Sequence, residues 1–158
     1  MKITLVGSGY VGLVSGACFA EFGYDVVCVD NNQAKIADLN RGIIPIYEPG
    51  LDSLVNQGVK AGKLTFTTNL KTALKTTDVV MITVGTPTRH GDGYADLTYV
   101  YATAKEIAEA IDNYVVVVNK STVPVGTARQ VAGIIKATRP NLIEGKYFNV
   151  ASNPEFLR

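Results

Sequence analysis

Lys2-Ile3-Thr4-Leu5-Val6-Gly7-Ser8-Gly9-Tyr10-Val11-Gly12 joins a strand-length apolar run to a G-x-G-x-x-G turn, and the turn opens a helical stretch that reaches Phe22. Each glycine has a task in that arrangement. Gly7 permits the tight turn, Gly9 lets the backbone approach a pyrophosphate with no Cβ in the way, and Gly12 lets the helix lie close to the sheet. Gly12, Gly16 and Ala20 recur at i, i+4 and i+8, so a stripe of small residues supports the close approach along the helix. Free N–H groups and the dipole at the helix N-terminus favour negative charge there.

The turn alone is a weak signal, since a mere packing turn reads the same. Its context strengthens it. A second apolar run, Asp25-Val26-Val27-Cys28-Val29-Asp30, follows the helix and ends in a carboxylate 18 residues beyond Gly12. A carboxylate at that strand tip accepts both hydroxyls of an adenosine ribose and repels a 2′-phosphate, so the spacing points to NAD rather than NADP. Lys35 reads as a second ribose contact, as a cation for a 2′-phosphate, or as a solvated helix residue, and the carboxylate at the strand tip is the stronger indicator.

Further strand-length, β-branched runs lie at 64–66, 78–84, 114–119 and 147–152. They are nearly continuous in apolar character, as parallel strands covered on both faces are. Helical stretches at 33–40, 50–61, Thr98 to Ile111 and Thr127 to Thr138 alternate with them, with Asp96 as the expected N-cap of the third and Pro140 closing the last. Such alternation implies βαβ units with right-handed crossovers. The expected fold is α/β: a doubly wound, Rossmann-type parallel sheet of about six strands with helices on both faces. No linker divides the chain, so residues 1–158 read as one dinucleotide-binding domain.

Composition agrees with a globular domain and narrows the partners. Of 158 residues 47% are hydrophobic, which excludes disorder, and a chain of this length buries about 68–70% of its unfolded surface without staples. Fifteen Lys and Arg against 14 Asp and Glu give a net charge of +1, with the basic residues scattered. Neither nucleic acid nor a membrane surface is an expected partner. Cys18 and Cys28 sit inside apolar segments without the spacing of a metal site, so they read as packing residues in a reduced, cytosolic compartment. No metal is expected. His90, in the Gly-rich loop 88–93, reads as solvated.

In a doubly wound sheet, ligands bind beyond the carboxyl ends of the strands. The segments that follow the last three apolar runs are Val84-Gly85-Thr86-Pro87-Thr88, Lys120-Ser121-Thr122-Val123-Pro124-Val125-Gly126 and Asn153-Pro154-Glu155-Phe156-Leu157-Arg158. Prolines restrain these backbones, and hydroxyls supply short uncharged hydrogen-bonding groups. With GSGYVG at 7–12, the Val29-Asp30 pair followed by Lys35, PIYEPGL at 45–51 and DGYADL at 92–97, the chain resembles the NAD-binding domain of the UDP-glucose/GDP-mannose dehydrogenase family along its whole length.

That resemblance implies an enzyme that oxidises the C6 alcohol of a nucleotide sugar to a carboxylate in two NAD-dependent steps, through an aldehyde and a cysteine-linked thioester. UDP-glucose is the expected substrate and GDP-mannose the alternative. Carried over position by position, Gly7, Ser8, Gly9, Tyr10, Val11 and Gly12 hold the pyrophosphate, Asp30 and Lys35 the adenosine ribose, and Val84, Thr86, Pro87, Ser121 and Thr122 the nicotinamide half. Glu155 matches the acid/base glutamate, with Thr122 beside it, and Glu155, Phe156, Leu157 and Arg158 match sugar-nucleotide contacts. Read without the resemblance, Glu155 is a solvated loop acid and Thr122 a cap on the following helix.

The nucleophilic cysteine, the catalytic lysine and the base-reading residues of the family belong to a C-terminal half that the chain lacks. The expectation is therefore a fragment that binds NAD and completes no turnover alone, drawn from a whole protein that is a homodimer or larger. A free-standing NAD-binding module without chemistry is the reading from another class.

Overall fold

β-branched, apolar segments form the strands and small or amphipathic segments the helices, in the alternation read from the sequence. The computed structural model describes residues 1–89, 91 and 93–155. Strands β1 (Lys2–Val6), β2 (Asp25–Val29), β3 (Leu64–Thr67), β4 (Val79–Ile82), β5 (Val115–Asn119) and β6 (Phe148–Ser152) alternate with helices. These are α1 (Tyr10–Glu21), α2 (Gln33–Asn40), α3 (Leu51–Lys60), α4 (Leu70–Leu74), α5 (Thr98–Ala110) and α6 (Thr127–Thr138).

All six strands pair in parallel in the order β3-β2-β1-β4-β5-β6. The chain winds outward from β1 to one edge, returns, and winds from β4 to the other. β1 and β4 therefore flank a switch point where ligands bind in such sheets. Thr83 fastens them at its carboxyl end, donating its N–H to Val6 O at 2.9 Å and its Oγ1–H to the Val6 and Gly7 carbonyls, each at 2.9 Å.

Strand alternation splits the core in two. Ile3, Leu5, Val26 and Cys28 pack under α1, α2 and α3 with Leu13, Ala17, Ile36 and Val55. Val6, Val27, Val80, Ile82, Val117 and Phe148 pack under α4, α5 and α6 with Leu74, Ala104, Ile107 and Ile135. Both faces thus carry helices, though not evenly. On the face that carries α1, register places Val79, Met81, Val116, Val118, Asn149 and Ala151 over the β4–β6 half, and Asn149 and Ala151 at the β6 edge are exposed.

Two local expectations are corrected. Helix α4 falls in a stretch with no expected element. Its five residues are too few for a helical period to show, yet Asn69 Oδ1 caps it by accepting from Thr72 N–H at 2.9 Å, and Leu70, Ala73 and Leu74 are buried. The N-cap of α5 is Leu97, not Asp96. Asp96 stands one residue earlier and accepts from the Thr98 N–H at 2.9 Å and the Thr98 hydroxyl at 2.6 Å, an Asx turn ahead of the helix.

Candidate functional site

The turn after β1 takes the shape that the glycines allow. Gly7 has φ +108°, a conformation that penalises any side chain, and donates its N–H to Val29 O at 2.8 Å. A Cβ on Gly12 would run into the Gly7 carbonyl oxygen and reach within 2.7 Å of Thr83 Oγ1, so only glycine lets α1 start this close to the turn. Deeper in α1, a Cβ on Gly16 would sit 2.7 Å from Cys28 Sγ. The first helical hydrogen bond runs from Leu13 N–H to Gly9 O at 2.9 Å, and no side chain caps the helix. The amides of Tyr10, Val11 and Gly12 thus precede the ladder, where an anion gains from them and from the dipole.

Asp30, at the tip of β2, is 8% exposed and fully engaged. Its Oδ2 accepts from the Ser8 N–H at 2.9 Å and from Lys35 Nζ at 2.7 Å, and its Oδ1 accepts from the Asn32 N–H at 3.0 Å. Burial by itself pushes the carboxyl pKa up. The Lys35 ammonium, the two backbone donors and the Lys35 charge outweigh that and hold it below the usual carboxylate value. Lys35 is therefore no free solvated lysine; its amine is paired with the Asp30 carboxylate.

Gly7, Gly9, Asp30, Lys35, Val84 and Gly85 line one cleft, together with Thr68, Leu70 and the α5 residues Tyr99, Ala102, Thr103 and Glu106. Its volume of about 350 Å³ is in the range of small-ligand sites. The fit to a dinucleotide rests on the geometry: bare backbone at Gly9, uncapped amides behind it, and a carboxylate with a neighbouring ammonium at the next strand tip. A wider groove of about 700 Å³, lined by Lys136, Leu142, Glu144 and Asn149 among others, lies at the amino end of β6, far from the strand tips.

Hydrogen bonds stitch the loops after β4, β5 and β6 together. Thr86 Oγ1 donates to Thr122 O at 3.1 Å, and Thr122 Oγ1 donates to Glu155 O at 2.7 Å. Ser121 is buried, with its hydroxyl engaged by Val84 O at 2.7 Å, so it shapes the loop. Pro87 is exposed and its carbonyl accepts from the Asp96 N–H at 2.7 Å. Thr122 forms no side-chain cap on α6, whose N-cap is Gly126. Lys120 Nζ lies 3.1 Å from Glu155 Oε2, so Glu155 is an ion-paired acid at the end of the Thr86–Thr122 chain.

Tyr10 and Glu48 add a second tie. The Tyr10 hydroxyl donates to Glu48 Oε2, fastening the PIYEPGL segment to the start of α1. That bond, with the Glu48 and Glu155 charges, raises the Tyr10 pKa. Thr83, Lys120 and Glu48 were not among the expected site residues. The signals available for them were a threonine near the end of a buried apolar run, a lysine opening the loop 120–126, and an acid between Pro45 and Pro49. Phe156, Leu157, Arg158 and His90 lie outside the described residues. Cys28 is fully buried, which pushes its thiol up to about 12, so it is no thiolate nucleophile. Among the described residues no cluster could hold a metal, and no helix is long and apolar enough to cross a membrane.

Residues 1–158 match the UDP-glucose/GDP-mannose dehydrogenase family, NAD binding domain. The chain is 60% identical over 158 residues to a UDP-glucose 6-dehydrogenase of Rhizobium meliloti, covering 100% of this chain and 35% of that protein. It is 52% identical to the UDP-glucose 6-dehydrogenase TuaD of Bacillus subtilis, covering 99% and 33%. Its fold superposes on a GDP-mannose dehydrogenase ternary complex from Pseudomonas aeruginosa with a TM-score of 0.93 at 40% identity, covering 100% of this chain and 37% of that one. The chain thus spans about a third of the length of the curated relatives it matches. A cleft lined by the Gly7–Gly9 turn and the Asp30 carboxylate, and a match that runs from Met1 to Arg158, agree: the chain belongs to the UDP-glucose/GDP-mannose dehydrogenase family, as its NAD-binding domain.

Proposed function

We propose that this domain is the cofactor domain of a UDP-glucose 6-dehydrogenase, and that the whole protein oxidises UDP-glucose to UDP-glucuronate with two NAD per sugar. The observation that carries the reading is the Thr86–Thr122–Glu155 chain of hydrogen bonds beside the Asp30 cleft. It joins the loops that follow β4, β5 and β6, with Glu155 on the last of them and the Asp30 carboxylate at the tip of β2. NAD, when bound, supplies the hydride acceptor.

In this reading Gly7 to Gly12 receive the pyrophosphate, with Ser8, Tyr10 and Val11 supplying backbone around it, and Asp30 with Lys35 holds the ribose. Val84, Thr86, Pro87, Ser121 and Thr122 frame the nicotinamide end, and Glu155, with Phe156, Leu157 and Arg158 by likeness to the family's motif, binds the sugar nucleotide. Glu155, with Lys120 against one carboxylate oxygen, orients and activates a water for hydrolysis of the acyl intermediate. The Thr122 hydroxyl hydrogen is committed to Glu155 O, which leaves its lone pairs to accept from that water.

Incubated with excess NAD, the whole protein is expected to form about two NADH per UDP-glucose and none from GDP-mannose, with the 158-residue chain silent as control. Two NADH per GDP-mannose instead would reassign the sugar. NAD binding without NADH from either sugar would favour a non-catalytic module. In the same assay Glu155→Gln is expected to slow turnover by about 10²-fold or more while leaving NAD affinity unchanged. Unchanged turnover would remove Glu155 from the chemistry.

A further inference from the structure

Helix α1 begins without a side-chain cap: Gly9 holds the N-cap position, and the first turn carries no acidic residue. A capping Ser or Asp would steady that turn, but its oxygen would take up an amide that an arriving anion needs. The turn is steadied from outside the helix instead. Tyr10, its first residue, donates its hydroxyl hydrogen to Glu48 Oε2, 38 positions along the chain. Glu48 is itself firmly held. Its carbonyl accepts from the Leu51 N–H at 3.1 Å where α3 opens, Gly50 follows with φ +82°, and Ile44 and Ile46 pack against the core under α1. Pro45 and Pro49 stiffen the segment on either side. At the other end of α1 the same helix α3 abuts it, since a Cβ on Gly58 would sit 3.3 Å from Ala20 Cβ. The bond to Glu48 raises the Tyr10 pKa, so the hydroxyl keeps its hydrogen at neutral pH.

We propose that Glu48 is a positioning residue for the cofactor: by holding the Tyr10 hydroxyl it fixes the first turn of α1, so that the Tyr10, Val11 and Gly12 amides meet the pyrophosphate in one arrangement. The proposal rests on the NAD reading above and deepens it. Glu48 acts through Tyr10 and makes no contact with the ligand. Helix ends fray, and an end that has no cap must be ordered when its ligand arrives. Ordering it beforehand removes that cost from binding. The tie does so while leaving all three amides open, which a capping side chain on α1 would not.

The test is calorimetric titration of the whole protein with NAD, with thermal melting of each variant alongside. Glu48→Ala and Tyr10→Phe are each expected to weaken NAD by about three- to tenfold, the range of a lost helix cap. The double variant is expected to bind no more weakly than either single one, because both remove the same bond. Glu48→Gln, which keeps an acceptor oxygen, is expected to bind NAD within about twofold of the parent. A tie that merely docks the segment between α2 and α3 would lower Tm and leave NAD affinity unchanged, and that result would overturn the proposal. Additive losses in the double variant, or a Glu48→Gln protein as weak as Glu48→Ala, would overturn it too. In each of those cases the parent still binds NAD and the cofactor reading stands. Failure of the parent to bind NAD would overturn that reading and this one with it.

Discussion

Asp30→Ala is expected to weaken NAD binding by about tenfold to a hundredfold, because a hydrogen bond to a charged group contributes about 1.5–3 kcal/mol. It is also expected to erase the preference over NADP. In the parent, Lys35 is bound to Asp30 at 2.7 Å. Without the carboxylate its ammonium is free to meet a 2′-phosphate. Since Asp30 also accepts from the Ser8 and Asn32 amides, Asp30→Asn serves as the companion variant, keeping one acceptor oxygen in place while removing the charge. Parallel titrations with NAD and NADP decide the matter: the same preference in parent and variants would remove Asp30 from the ribose.

The same residue sets a pH dependence. Its folded-state pKa is lowered, so its contribution to stability is fully present above the unfolded value of about 3.9 and is lost as pH falls through the lower folded value. Acid unfolding of Asp30→Asn should lack that component, which denaturation curves between neutral pH and the acid limb would display.

Gly12→Ala is expected to be the most damaging methyl group in the fold. The new Cβ meets the Gly7 carbonyl and Thr83 Oγ1, one a backbone atom and the other held by two hydrogen bonds, so α1 must shift from the turn. Overpacking of this kind costs about 3 kcal/mol, which in a domain this size lowers Tm by about 6–12 °C. Gly9→Ala is the contrast. A Cβ there has nothing within 4 Å, so Tm should hold, while the methyl occupies the approach of the pyrophosphate and NAD binding falls. A Gly12→Ala protein that melts with the parent would refute the close-approach argument.

Much of this was legible in the chain because its signals are local. Gly7, Gly9 and Gly12 follow a strand and open a helix, and Asp30 ends the next strand, so the strand–turn–helix and the carboxylate that share one cleft could be named from spacing alone. The doubly wound parallel sheet followed from the same alternation, though the order of its strands did not. What spacing does not carry is how loops distant in sequence lean on one another. Thr83 reaches back across 77 positions to Val6, and Lys120 finds Glu155 only once β5 and β6 lie side by side. Helix α4 hid because five residues are too short to display a period, and Asp96 was misplaced by one residue because an Asx turn and an N-cap share their chemistry.

The uneven cover of the sheet has a consequence for how the domain breathes. β1 has a strand on either side and helices over both faces, so exposing its amides requires nearly global unfolding. β6 has one neighbour, and on its open face Asn149 and Ala151 meet solvent, so it detaches at lower cost. Glu155 hangs from that strand, tethered by Thr122 and Lys120, whereas Asp30 hangs from β2. The Asp30 side of the sheet is therefore the rigid anvil, and the Glu155 side is the jaw.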